Sequence, residues 1–145
     1  MSGETELVGW HRFIGTWETE GSHPLLPGEP IRGTSSFEWL DGQQFVIWRS
    51  HYDHARIPDA ITIVGMTDGR LSMHYFDQRG VHRVYSASLD GDTWRYWRDA
   101  EPPDLSQRFT GTFGEDGATI TGSGQMSRDG GTWEDDLALN YHKVA

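Results

Sequence analysis

Cysteine is absent from this chain, which excludes a disulfide framework, a thiolate metal site and a cysteine nucleophile. Lysine is nearly absent as well. Lys143 stands alone, and Lys+Arg total 12 against 22 Asp+Glu, giving a formal net charge of -10. Phosphate backbones demand clustered cations, so nucleic acid is not an expected partner. The longest apolar runs, such as Ile61-Thr62-Ile63-Val64, fall far short of the roughly 20 residues that cross a bilayer as a helix. The opening Met1-Ser2-Gly3-Glu4 is acidic and lacks the apolar core of a secretory signal. The expectation is a cytoplasmic protein without a membrane partner. Neither a Gly-x-Ser-x-Gly elbow nor a phosphate loop occurs, and Gly122-Ser123-Gly124 reads as close packing within a strand.

What the chain does have is turns. Asp41-Gly42, Asp68-Gly69, Arg79-Gly80, Asp90-Gly91, Asp116-Gly117 and Asp129-Gly130 punctuate it at hairpin spacing. Asp-Gly suits a type I′ turn, whose central residues both need positive φ. The β-rich runs between them predict strands near 14–21, 31–40, 43–52, 60–67, 70–77, 81–89, 93–99, 105–114, 118–126 and 132–143. Prolines mark the long connections, at His23–Pro30, Asp53–Asp59 and Glu101–Asp104. One segment reads as helix: Glu4 to Phe13, with Leu7, Trp10 and Phe13 spaced by three and Glu4 and Glu6 in the first turn. The 145 residues suit one domain, 1–145. The predicted fold is all-β, an antiparallel up-and-down barrel of about ten strands with the short N-terminal helix plugging one end.

Alternation does not settle which face of every strand turns inward. Phe45 and Ile47 oppose Val46 and Trp48, and Trp94 and Tyr96 oppose Trp97. One such face lines a lumen, and the other is then an apolar outer surface that a homodimer would cover.

Several segments carry a family resemblance. Gly15-Thr16-Trp17-Glu18, Phe37-Glu38-Trp39-Leu40-Asp41-Gly42, His74-Tyr75-Phe76-Asp77 with Gly80, and Arg108-Phe109-Thr110-Gly111-Thr112-Phe113 before Asp116-Gly117 resemble a group of bacterial calycin-like domains. These belong to the lipocalin-like superfamily. The resemblance implies a barrel with an internal cavity and places Trp17 at its closed end, under the helix. It implies no reaction. More distantly, Gly15 to Pro24 resembles the opening motif of nitrobindins, ten-stranded haem barrels that handle nitric oxide and peroxynitrite. That resemblance implies a histidine iron ligand on the last strand. Here the strand's histidine is His142, later than the family pattern wants and on the face opposite Leu137, Leu139 and Tyr141, so haem ranks last among the readings.

The polar residues within strands are the candidates for chemistry. His51-Tyr52-Asp53-His54 is the densest cluster, but residues three apart on a strand point to opposite faces, so it reads as a strand ending in a polar loop and not as a metal site. His74 could titrate near neutrality inside a barrel. Arg49, Arg83 and Arg108 fall mid-strand, where an interior guanidinium would anchor a carboxylate, with Tyr85 or Tyr141 assisting. Seven tryptophans supply apolar wall with a hydrogen-bond donor each. The leading reading is a carrier or sensor that holds a small hydrophobic or aromatic molecule in the lumen, with no cofactor and no metal. Its expected binding residues are Trp39, Trp48, Arg49, His51, His74, Tyr75, Arg83, Tyr85 and Trp97. The alternative is a cyclase or isomerase in the same cavity, drawing its acid and base from His51, His74, Tyr75, Asp77 and Tyr85.

Overall fold

The computed structural model describes residues 7–145. Ten strands follow one another: β1 (Gly15–Ser22), β2 (Ile31–Trp39), β3 (Phe45–Tyr52), β4 (Ala60–Thr67), β5 (Arg70–Asp77), β6 (His82–Asp90), β7 (Thr93–Arg98), β8 (Ser106–Phe113), β9 (Thr119–Ser127) and β10 (Glu134–Lys143). Every strand pairs antiparallel with its sequence neighbours. β10 returns to β1, from Trp17 opposite Lys143 to Ser22 opposite Ala138, so the sheet closes as an up-and-down barrel. Closure leaves no strand edge open to another chain. Both ends of all ten strands lie within two residues of those predicted from the turns. Both central residues take positive φ at Asp68-Gly69 (52° and 76°), as a type I′ turn requires. At Asp90-Gly91 and Asp116-Gly117 only the glycine does, so those loops are not type I′.

The leading segment is a 3-10 helix, Val8–Phe13. Glu4 and Glu6, the predicted first turn, lie outside the described residues. Strict spacing by three is the period of a 3-10 helix, in which positions i and i+3 eclipse. Leu7, Trp10 and Phe13 accordingly turn to one side and are all essentially fully buried.

That plug fills the closed end with rings. Trp10 stacks on Phe13 at 4.1 Å, and Phe13 meets Phe37, Trp94 and Phe113 at 5.0–5.2 Å. Trp17 is fully buried among the same core residues, and its indole N–H donates to the Phe13 carbonyl at 2.8 Å. Its predicted place beneath the helix is the observed one. Trp48 and Trp94 meet midway along the barrel at 5.4 Å, which closes off the packed half. Val46, Trp48, Trp94 and Tyr96 are the inward faces of β3 and β7. The outward faces leave Ile61, Phe76, Val84 and Trp97 exposed.

Candidate functional site

Beyond Trp48 the barrel is not filled. A cavity of about 330 Å³ opens toward the end where the β1–β2, β3–β4 and β5–β6 connections lie. Its floor is apolar and aromatic, with Trp48, Met73, Tyr96, Phe109, Leu139 and Tyr141. Its wall nearer the mouth is polar and charged.

Two hydrogen-bonded groups build that wall. On one side, Tyr75 donates to Asp77 at 2.8 Å, and Arg79 reaches the same carboxylate from the β5–β6 turn at 2.6 Å. Burial by itself would raise the Asp77 carboxyl. The Arg79 guanidinium, the Tyr75 hydroxyl and the N–H groups of Arg79 and Val81 outweigh it and hold the carboxyl well below the usual range. On the other side, Gln107 of β8 accepts from the Tyr85 hydroxyl at 2.8 Å and from Arg83 at 3.1 Å through one oxygen. Its amide nitrogen faces Asp136 of β10 at 3.5 Å. Arginine can only donate, so the Gln107 oxygen must face Arg83, and the amide orientation follows from its neighbours. Asp136 also receives the Nε2–H of His23 at 2.9 Å. The Leu25 backbone N–H points at His23 Nδ1 from 3.0 Å, so Nδ1 is the bare nitrogen and Nε2 carries the proton.

Asp136 reaches the cavity because β10 is irregular. Asp135 pairs with Gln125 and Ala138 with Ser123, which leaves one extra residue on β10 between those pairs. A bulge re-aims a side chain that alternation would send outward, and both Asp136 and Leu137 line the cavity. His23 arrives from just past β1, in the proline-rich connection.

Of the nine residues expected to bind ligand, Trp48, Tyr75, Arg83 and Tyr85 line this cavity. Trp39 packs on the core at the closed end, 5.0 Å from His11. Arg49, His51, His74 and Trp97 stand on the outer face, because their strands place Trp48, Ser50, Met73, Tyr75 and Tyr96 inward and successive side chains alternate. Arg49 pairs there with Glu38. His51 lies between Asp59 and Asp53, at 3.0 and 2.9 Å, and its pKa is raised by hydrogen bonds first to Asp59 and then to Asp53. His54 turns away to Glu29. His74 stacks on His82 across the outer surface at 6.2 Å. Arg108 faces outward over the Trp133 ring at 4.0 Å.

His23, Gln107 and Asp136 were not among the expected residues. Gln107 was legible: Phe109, Gly111 and Phe113 alternate inward, and Gln107 shares their parity. A bulge and a loop hid the other two.

The site's tyrosines stay protonated. Burial pushes Tyr52 up to about 12 and raises Tyr75, Tyr85, Tyr96 and Tyr141 as well, with Arg83 opposing the shift at Tyr85. The acid–base set of the enzyme reading is therefore dispersed. His51 and His74 are outside, the tyrosines are moved away from neutrality, and Asp77 is moved away in the other direction. The donor set does not suit haem either. His142 is exposed on the outer face, and the single imidazole that lines the cavity among the described residues, that of His23, has both nitrogens engaged.

The fold and site define a closed ten-strand antiparallel barrel with a mouth-open cavity. No family model matches the chain, and no curated protein does. Among solved structures it resembles the crystal structure of Rv2717c from M. tuberculosis, with a TM-score of 0.62 over 97% of this chain and 98% of that one. The sequence identity is 16%, so the likeness carries the fold alone.

Proposed function

We propose that this protein is a small-molecule carrier or sensor. The apolar or aromatic body of its ligand lies in the lumen, and the ligand's polar head sits on Arg83 and Tyr85. One observation carries the reading. Arg83 is half-buried in the wall of a ligand-sized cavity, and among the described residues no carboxylate pairs with it. Its partners are the neutral Gln107 amide and the Tyr85 hydroxyl. A partly desolvated cation with no carboxylate in contact is costly: Asp104 acts on Arg83 only through space and is itself paired with Arg98, so an anionic ligand group would offset that cost through a charge-assisted hydrogen bond. The rings of the floor would supply the apolar burial, as in other small-molecule pockets of a few hundred Å³.

The test is a fluorescence titration with 1-anilinonaphthalene-8-sulfonate, an aromatic anion of suitable size. The native protein should bind it saturably. Arg83→Met should weaken binding by about tenfold or more, the value of about 1.5–3 kcal/mol for a hydrogen bond to a charged group. Native protein that does not bind the dye, or a variant that binds it equally well, refutes the reading.

A further inference from the structure

Arg83 and Asp136 share one cavity and carry opposite charges, yet they do not pair. Gln107 stands between them, its oxygen on Arg83 and its nitrogen toward Asp136. Each retains unused capacity. A guanidinium has five N–H donors, and among the described residues those of Arg83 reach the Gln107 oxygen, with the Tyr85 hydroxyl close by. Asp136 Oδ1 is taken by His23, whereas Oδ2 has only the long 3.5 Å approach of the Gln107 amide. The wall thus presents free donors and a free acceptor at the two ends of a single amide. Gln107 shows what satisfies such a pair: an acceptor and a donor on neighbouring atoms. A plain carboxylate head would satisfy Arg83 but would leave its own charge facing Asp136. A head that also carries an ammonium would answer both charges.

The floor adds a second, independent requirement. Tyr141 belongs to it and is wholly buried, its hydroxyl sealed from the lumen, so the floor offers this residue's packing and not its polar atom. The surrounding floor, Trp48, Phe109 and Tyr96, is aromatic.

We propose that the ligand is an aromatic α-amino acid, with its carboxylate on Arg83, its ammonium on Asp136 Oδ2, and its ring on the aromatic floor. This rests on the carrier reading and narrows it. His23 is then a positioning residue: by holding Oδ1 it turns Oδ2 to the cavity.

Calorimetry with three compounds that share one ring system tests the proposal without any variant. L-Tryptophan has both head groups, indole-3-propionate only the carboxylate, and tryptamine only the ammonium. L-Tryptophan should bind about tenfold or more tighter than either of the others. Asp136→Asn, which can still accept from His23, should weaken L-tryptophan and tryptamine and leave indole-3-propionate equal or tighter. Arg83→Met should weaken L-tryptophan and indole-3-propionate but spare tryptamine. Melting curves confirm that each variant is folded. Indole-3-propionate or tryptamine binding as tightly as L-tryptophan overturns the proposal and leaves the carrier reading standing. So does failure of all three compounds while the anilinonaphthalene dye still binds. Failure of the dye as well removes both.

Discussion

Trp17 sits where the barrel closes on itself, opposite Ser35 of β2 on one side and Lys143 of β10 on the other. Its side chain is wholly buried, with Phe113 and Tyr141 edge-on at 6.3 and 6.4 Å and the Lys143 ammonium 5.4 Å from the ring. Replacing it by alanine removes on the order of 150–200 Å² of buried apolar surface, about 4–5 kcal/mol at ~25 cal/mol per Å². It also removes the indole hydrogen bond to the Phe13 carbonyl, about 1 kcal/mol. Partial collapse of neighbouring rings returns some of this, so Trp17→Ala should cost roughly 3–5 kcal/mol. That is a large part of the ~5–15 kcal/mol of a typical domain. The measurement is urea unfolding followed by far-UV circular dichroism, with Trp17→Phe as a companion. The phenylalanine variant keeps most of the apolar area but loses the hydrogen bond, and should fall between the two. A loss below about 1 kcal/mol for Trp17→Ala would show that the plug is not anchored through this residue, and the account of the closed end would fail.

The Asp77 cluster should appear in the acid limb of stability. Its carboxyl is lowered from the ordinary value of 3.8, so its contribution is present above that value and is lost as pH falls through the folded-state pKa. Asp77→Asn should cost about 2–3 kcal/mol at neutral pH, and the gap to native protein should narrow below about pH 4; a gap independent of pH in urea titrations would refute the linkage. Haemin titration should give no stoichiometric Soret shift of the kind a histidine-ligated iron shows, because His142 faces outward and His23 has no free nitrogen; a sharp one-to-one shift would show that one of these imidazoles is free to bind iron.

The strands were legible because their signals are local. Glycine-centred turns and the two-residue period each act over a few residues, and closure then follows from a run of hairpins with nothing left to pair the ends except each other. The plug was legible in place but not in kind. The spacing of Leu7, Trp10 and Phe13 was visible, and taken at face value it is the 3-10 period. Facing direction was the weak point. On β3, Phe45 and Ile47 are as apolar as Val46 and Trp48. The tie was broken by what each strand packs against around the barrel, which no short window contains. Arg49 and His51 are expected binding residues on a strand whose inward face alternation leaves open, and they lie outside. Asp136 was beyond reach for a different reason, since one extra residue in β10 reverses the face of everything before it.

The glycines show why the cavity lies where it does. Strand glycines fill no volume, so Gly33, Gly65, Gly111, Gly122 and Gly124 suggest a hollow lumen on composition alone. In the barrel several of them do the opposite. A Cβ on Gly122 would stand 2.2 Å from the Phe109 ring, and one on Gly111 within 3.2 Å of Trp94. Gly65 lies outside, beneath Phe45, where a Cβ would again be 2.2 Å from a ring. These glycines seat aromatic rings, and Gly111 and Gly122 help to pack the barrel's interior solid. The space is in the other half, where the inward positions carry Arg83, Gln107 and Asp136. Closing the barrel over a guanidinium and a carboxylate would strip water from both, a cost met only if they paired with each other. Gln107 keeps them apart. The cavity therefore stays open because the charges at its wall are held where neither can neutralise the other, and the same separation gives a bound molecule something to recognise.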